Sequence, residues 1–93
     1  FNIASYALLM HIMAAKSCMR PRVLNVFSGD THIYANHSDQ VKEQLSRDPG
    51  KLPWLDLEHE ISSPNTPLEA IESKQIRLRE YEHQGAIKAP VAV

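Results

Sequence analysis

Residues 3–17 predict a helix that is apolar on nearly every face. Apolar side chains recur through this segment at the three- and four-residue spacing of one helix face. Leu8, Leu9 and Ile12 extend the apolar surface to the other faces, and a helix of that composition is normally buried. Because 93 residues suffice for one small domain but not for a large core, covering this helix is the main demand on the rest of the fold.

The remainder of the chain alternates short strands and helices. The pattern predicts strands at 23–27, 54–57 and 76–81, an extended piece at 31–34, helices at 39–47 and from Thr66, and an apolar tail at 86–93. The order of these elements indicates an α+β fold, in which helices pack on a mixed β-sheet. We find no internal repeat and no low-complexity segment.

Several residues are suited to begin or end the helices. Asn2 or Ser5 is available to cap the first helix, and Ser38 to cap the second. Thr66, followed by proline and by Glu69 three residues on, has the pattern of a capping box. Pro21 predicts the end of the first helix, since proline disfavours the helical conformation of its predecessor.

Charge and cysteine content exclude several classes of protein. The chain has 10 Lys and Arg against 11 Asp and Glu, which gives no basic field for nucleic acid or for an anionic membrane. No apolar run approaches the roughly 20 residues of a membrane span. Residues 3–15 lack a basic leader, so we do not expect a signal peptide. A single cysteine is consistent with a reducing compartment, and we expect a cytoplasmic protein.

Three segments carry a family resemblance. They are Phe-Asn-Ile-Ala-Ser-Tyr-Ala at 1–7, Gly-Asp-Thr-His-Ile-Tyr-Ala-Asn-His at 29–37 and Ile-Lys-Ala-Pro-Val-Ala-Val at 87–93. In this order and spacing they resemble the thymidylate synthase and pyrimidine hydroxymethylase family. The resemblance runs over the whole chain and is weakest at 55–80. It implies that residues 1–93 are the C-terminal segment of a single thymidylate synthase domain.

The resemblance assigns the nucleotide contacts to four residues. It implies that Asn2, His32, Ile33 and Tyr34 bind dUMP, with His32 and Tyr34 on the 3′-hydroxyl of the deoxyribose. A carboxamide at Asn2 can accept a hydrogen bond from uracil N3–H and donate one to O4. Relatives that act on dCMP carry aspartate there, so Asn2 indicates a uracil substrate.

Each of these residues also has a purely structural interpretation. Asn2, beside the start of a helix, has the position of an N-cap. His32 and Tyr34 are two residues apart and would project from one face of an extended segment, as in a half-buried strand. His32 and His37 make a poor metal site, because no cysteine or third histidine lies at ligand spacing. We therefore predict no metal.

The folate contacts are also implied by the resemblance. The co-substrate is 5,10-methylenetetrahydrofolate, and its contacts fall on Phe1, Tyr34, Ala92 and Val93. In the family the C-terminal residues close over both ligands and exclude water. Without the resemblance, an apolar C-terminus would be interpreted as a frayed or merely packed tail.

No catalytic residue is predicted in this chain. The family attacks uracil C6 with a cysteine in a Pro-Cys-His context that is absent here, and Cys18, between Ser17 and Met19, is interpreted as a packing residue. The arginines that hold the 5′-phosphate are also missing, since Arg20 and Arg22 do not match their positions. Because the chain opens without Met inside a helical pattern, we expect an upstream part of the enzyme on this or another chain. Without the nucleophile we expect no turnover by the isolated chain, and the resemblance implies a homodimer.

The sequence is compatible with three functions. The first is reductive methylation of dUMP to dTMP. The second is hydroxymethylation of dUMP by an enzyme of the same family, and departures such as Ser28 in place of a frequent glycine leave room for it. The third is a non-catalytic fragment or pseudo-enzyme subunit with a structural or binding role.

Overall fold

The computed structural model describes residues 1–91 and combines helices with a small antiparallel sheet, an α+β arrangement. The elements are α1 (Asn2–Lys16), α2 (Ser38–Ser46), β1 (Trp54–Leu57), α3 (His59–Ser62) and β2 (Ile76–Arg79), with 3₁₀ helices at Ala35–His37, Leu68–Ala70 and Ser73–Gln75. The chain divides into two compact units. Unit 1 comprises Phe1–Phe27 and Trp54–Arg79, and unit 2 comprises Ser28–Pro53 and Glu80–Val93.

Helix α1 of unit 1 ends in a Schellman motif. The backbone N–H of Met19 donates to the carbonyl oxygen of Ala14 at 2.8 Å, and that of Cys18 donates to Ala15 at 3.4 Å. These are the two bonds that close this motif. Cys18 adopts the left-handed conformation that the motif requires, with a φ of 53°, at a position where glycine is the usual residue. The helix therefore ends before Pro21 is reached.

The core of unit 1 lies where α1 packs against α3. Among the described residues of this unit, Ile61 is fully buried and Ala14 is nearly so. Lys16, in the last turn of α1, donates through Nζ to the carbonyl oxygens of Ser63 and Thr66. The apolar contact and these two charge-assisted bonds hold the loop after α3 against the end of α1.

The sheet of unit 1 pairs β1 and β2 in antiparallel orientation. Leu55 lies opposite Leu78 in the ladder. Arg79 donates through Nε and Nη2 to Asp56 Oδ2, at 3.0 and 2.7 Å. Cross-strand apolar and charged pairs of this kind stabilise a sheet beyond its backbone bonds. Residues 58–75, which include α3 and two of the 3₁₀ helices, connect the two strands.

Unit 2 contains less regular structure than unit 1. The 3₁₀ helix at Ala35–His37 leads directly into α2. Arg47, at the end of α2, forms an ion pair with Glu43 at 2.6 Å, and its side chain is only 20% exposed. Within the described range, residues 80–91 form neither a helix nor a strand. This part of the chain is therefore held by side-chain contacts rather than by a backbone ladder.

The prediction that the first helix is buried is wrong for this chain. Ile3, Tyr6 and Leu9 are 62%, 64% and 48% exposed, and Ala14 is the buried residue of α1. The reason is geometric, because α3 has four residues and α1 has 15, so α3 covers only part of the surface of α1. None of the helices in residues 1–91 combines the length and apolar character needed to cross a membrane.

The predicted strand at 23–27 is also wrong, since within the described part of the chain these residues form no strand. A strand exists only where its backbone groups are paired, and β1 and β2 pair with each other. The residues at 31–34 likewise lie outside the described sheet.

The predicted caps are replaced by other residues. Phe1 and His37 occupy the N-cap positions of α1 and α2, and neither helix has a side-chain cap from the described residues. Asn2 and Ser38 instead lie inside these helices as their first residues. Ser5 is also inside α1. The segment after Thr66 forms a short 3₁₀ helix rather than an α-helix, and the capping box is made by Glu72 and Gln75.

Candidate functional site

Asn2 is the residue assigned to uracil recognition, and it lies at the start of α1 in unit 1. Its side chain is exposed. The N-cap interpretation is wrong, because Phe1 holds that position and no described side chain makes the capping bond. The carboxamide of Asn2 is therefore not committed to capping, and its one acceptor and two donors can serve a ligand.

Phe1 precedes α1 and contributes to the helix through its backbone. Its carbonyl oxygen accepts hydrogen bonds from the backbone N–H of Ser5 at 3.0 Å and from the Ser5 hydroxyl at 3.3 Å. The ring itself is fully exposed. A fully exposed ring next to Asn2 offers an apolar surface that a planar ligand can cover.

His32 and Tyr34 of unit 2 lie side by side. Their ring centroids are 5.1 Å apart and the ring planes are nearly perpendicular, at 86°. The ring of His37 makes a second edge-to-face contact with Tyr34, at 5.4 Å and 81°. Edge-to-face packing of this kind restricts ring orientation. The structure therefore brings His32 and Tyr34 together, and His37 packs against Tyr34.

The hydrogen bond at His32 defines its tautomer. Nδ1 lies 3.1 Å from the carbonyl oxygen of Asp30, which can only accept, so Nδ1 carries the proton. In the neutral ring, Nε2 is then an acceptor. The hydroxyl of a sugar can donate to such a nitrogen. Ile33, which lies between these residues in sequence, is 67% exposed and offers only apolar contact through its side chain.

The C-terminal segment of unit 2 is attached to the region of α2. We call residues 85–90 the strap. Three side chains donate to its backbone carbonyl groups: His37 Nε2 to Pro90 at 2.7 Å, Gln40 Nε2 to Lys88 at 3.2 Å, and Arg47 Nη1 to Gly85 at 2.7 Å. The predicted folate contacts at Ala92 and Val93 lie outside the described residues.

Sequence reasoning missed the role of His37, Gln40 and Arg47. Their spacing of three and seven residues does place them on one face of a helix. Their partners lie 38 to 53 residues further along the chain, and no local pattern predicts so distant a contact. The one sequence feature that could have indicated a contact at these residues was the polar face of α2.

Two open cavities flank this attachment within unit 2. The larger, about 600 Å³, is lined by residues between Gln44 and Gly50 and between Tyr81 and Gly85. The smaller, about 330 Å³, lies beside His37 and Ile87. Neither cavity is lined by His32 or Tyr34, so neither coincides with the predicted nucleotide contacts.

Cys18 has a structural position that differs from the one predicted. It is exposed, so the interpretation as a packing residue is wrong, and it is the turning residue of the Schellman motif. Across residues 1–91, no three His, Cys, Asp or Glu side chains gather in an arrangement that could hold a metal ion.

Asn2 in unit 1, and His32 and Tyr34 in unit 2, are thus all exposed. Comparison with known proteins specifies the class further. The thymidylate synthase family model matches residues 1–93, so the chain belongs to the thymidylate synthase family. It is 44% identical over 93 residues to a thymidylate synthase of Oenococcus oeni, and 47% identical to one of Leuconostoc mesenteroides. All of this chain is covered in both cases, but it spans only 28% of the length of each relative.

Proposed function

We propose that this chain is part of a thymidylate synthase that methylates dUMP to dTMP with 5,10-methylenetetrahydrofolate. The observation that carries the proposal is the family match over residues 1–93, which includes all three sequence motifs. The proposal also gives the chain the position of the C-terminal segment of a single thymidylate synthase domain. We call the longer polypeptide that would contain it the full-length enzyme.

In this proposal the side chain of Asn2 recognises the uracil ring by hydrogen bonds. The side chain is exposed and free of capping, which leaves its carbonyl for N3–H and its amide for O4. Cytosine presents an amine at C4 and no proton on N3. In the same orientation, the carbonyl of Asn2 would face N3 without a proton to accept, and its amide would face another donor. Unpaired polar groups in a closed site are the usual source of discrimination against an analogue.

His32 and Tyr34 bind the deoxyribose. The Nε2 atom of His32 accepts from the 3′-hydroxyl, and the Tyr34 hydroxyl lies on the ring that packs against His32. Ile33 adds an apolar contact to dUMP. The two rings hold each other in fixed orientations, which limits the entropy lost when the sugar binds.

The catalytic thiolate belongs to another segment of the full-length enzyme. Thiolate addition to uracil C6 makes C5 reactive enough to take up the one-carbon unit. The folate supplies that unit and a hydride, and leaves as dihydrofolate. Phe1, Tyr34, Ala92 and Val93 border the folate in this proposal, and the C-terminal residues close over both ligands to exclude water. A homodimer in the cytoplasm completes the proposal.

Specificity for uracil is tested by the substitution Asn2→Asp in the full-length enzyme. We expect the ratio of kcat/KM for dUMP to that for dCMP to fall by about tenfold to a hundredfold, since one unpaired polar group in a site costs about 1–3 kcal/mol. The matched control is Asn65→Asp, which makes the same change at another exposed asparagine of unit 1. An unchanged ratio in the Asn2 variant would remove Asn2 from the uracil site.

Product analysis in the same assay separates the alternatives. Methylation forms one dihydrofolate for each dTMP, because the hydride comes from the folate. A hydroxymethylase forms 5-hydroxymethyl-dUMP and no dihydrofolate. Nucleotide binding with no product of either kind would assign the chain to a non-catalytic subunit.

A further inference from the structure

The three bonds between the α2 region and the strap form an ordered series. Going forward along the helix from His37 to Gln40 to Arg47, the acceptors go backward along the strap, from Pro90 to Lys88 to Gly85. The strap therefore runs antiparallel to α2. An ordered series of this kind specifies one register, since sliding the strap by one residue would misalign all three acceptors.

The lengths of the two segments agree with this register. Positions 37 and 47 directly flank α2, and the ten steps between them advance about 15 Å at the helical rise of 1.5 Å per residue. Five steps of chain from position 85 to position 90 can span about 16–17 Å at the 3.3 Å per residue of an extended backbone. The strap is therefore long enough to reach donors at both ends of the helix.

Two of the three donors, Arg47 and Gln40, differ in how their other polar atoms are satisfied. The ion pair with Glu43 orients the Arg47 guanidinium, whose side chain is mostly buried. Gln40 donates to the strap while its Oε1 atom is buried and has no partner among the described residues. An unpaired buried acceptor lowers stability, so the hydrogen bond from Gln40 Nε2 to Lys88 offsets part of the cost of burying this amide.

His37 lies between the strap and the predicted nucleotide site. Its Nε2 must donate, because the carbonyl of Pro90 can only accept. Its ring also packs edge-on against Tyr34. A single side chain thus contacts both the ring proposed to border the nucleotide and the fourth residue from the C-terminal end of the sequence.

We infer that His37, Gln40 and Arg47 are positioning residues that fix the register of the strap on α2, and that His37 joins the strap to Tyr34. The attachment itself stands on the geometry of unit 2. Its consequence for turnover rests on the proposed function, in which the residues after the strap close over the ligands.

Trypsin provides a direct measure of strap release. It cleaves after lysine, and the carbonyl group of the bond between Lys88 and Ala89 accepts the hydrogen bond from Gln40, so we expect this bond to be cut faster when the contact is lost. In the full-length enzyme we expect Gln40→Leu to speed this cleavage about threefold to tenfold, the ratio that corresponds to loss of one hydrogen bond. The matched control is Gln44→Leu, because Gln44 is on the same helix and makes no hydrogen bond to the described strap.

A pair of substitutions at His37 separates the hydrogen bond from ring packing. His37→Phe keeps a ring against Tyr34 and removes the donor, whereas His37→Gln keeps a donor near the position of Nε2. We expect faster cleavage after Lys88 in His37→Phe and near-parental cleavage in His37→Gln. In the assay of dihydrofolate formation, His37→Phe should lower kcat severalfold with little change in dUMP affinity, and His37→Gln should restore it.

The two levels of the inference fail in different ways. Unchanged cleavage in both Gln40→Leu and His37→Phe would overturn the attachment, whether or not the enzyme methylates dUMP. Equal acceleration in Gln44→Leu would overturn it as well, since general loosening of α2 would then explain the result. Faster cleavage with unchanged kcat would overturn the link to turnover, and absence of dihydrofolate formation by the parent enzyme would overturn the proposed function instead.

Discussion

Unit 1 and unit 2 are stabilised by different kinds of interaction. In unit 1, two strands pair over four residues and the side chain of Ile61 is fully buried. In unit 2, α2 and the strap are joined by side chains that donate to backbone carbonyls, and none of its described residues is buried. A buried core resists local opening, whereas exposed polar bonds open at low cost. We therefore expect unit 1 to contribute most of the free energy of folding, and the strap of unit 2 to detach from α2 more easily than the core of unit 1 opens.

The largest expected effect is loss of the core of unit 1. Ile61→Ala should lower the free energy of unfolding of the full-length enzyme by about 2–5 kcal/mol, because it removes a fully buried side chain and leaves a cavity. Urea denaturation measures the change. Leu68→Ala is the control in the same unit, since Leu68 is 49% exposed and should cost far less. Equal losses at the two positions would break the comparison.

The next effect tests the backbone of unit 2. Gly85 has a φ of 84°, so Gly85→Ala should cost about 1–2 kcal/mol of backbone strain at the start of the strap. Apart from Gly85 itself and its two chain neighbours, no atom of the described residues lies within 4 Å of the added methyl group, which isolates the conformational term. Gly50→Ala is the control, because Gly50 has equal space and no positive φ. If denaturation shows the same change for both glycines, the strap does not depend on the conformation at Gly85.

The smallest effect sharpens the account of unit 1. Cys18→Gly should raise the free energy of unfolding by about 1 kcal/mol, because glycine adopts the left-handed conformation of the Schellman motif without steric cost. Ser17→Gly should instead lower it, since Ser17 has a φ of −100° and gains nothing from glycine. Thermal denaturation of both variants measures the difference. A loss of stability in Cys18→Gly would contradict the assigned role of Cys18.

Several regular elements of both units could be predicted from the sequence, although α3 was not among them. The helix predicted at 3–17 is observed at Asn2–Lys16, the one predicted at 39–47 at Ser38–Ser46, and the strand at Trp54–Leu57 has the predicted limits. Local periodicity determines such elements, so their positions follow from residues close in sequence.

The remaining features depend on partners that are distant in sequence or absent from the pattern. The segment at 23–27 has strand-like residues but no paired neighbour among the described residues, and so does not form a strand. Helix α1 ends at a Schellman motif in which Cys18 occupies the position that usually holds glycine, so the sequence lacks the glycine that would have predicted the end of the helix. The strap bonds join residues up to 53 positions apart, beyond the reach of periodicity.

The residues of the candidate site could be identified from the sequence, whereas most of their contacts could not. The motifs identified Asn2, His32 and Tyr34 by resemblance, and the structure added the tautomer of His32 and the ring contacts of Tyr34. The position of His37 against both Tyr34 and Pro90 could not be predicted, because it arises only when α2 and the strap meet.

The central claim is that this chain supplies ligand contacts, while the nucleophile comes from another segment. The most direct test mixes the isolated chain with the part of the Leuconostoc mesenteroides relative that it does not match, and measures dihydrofolate formation with dUMP and 5,10-methylenetetrahydrofolate. We predict no product from either polypeptide alone and dUMP-dependent product from the mixture, at a rate reduced by Asn2→Asp. Dihydrofolate formation by the isolated chain that Cys18→Ser abolishes would contradict the claim, because the chain would then carry its own nucleophile.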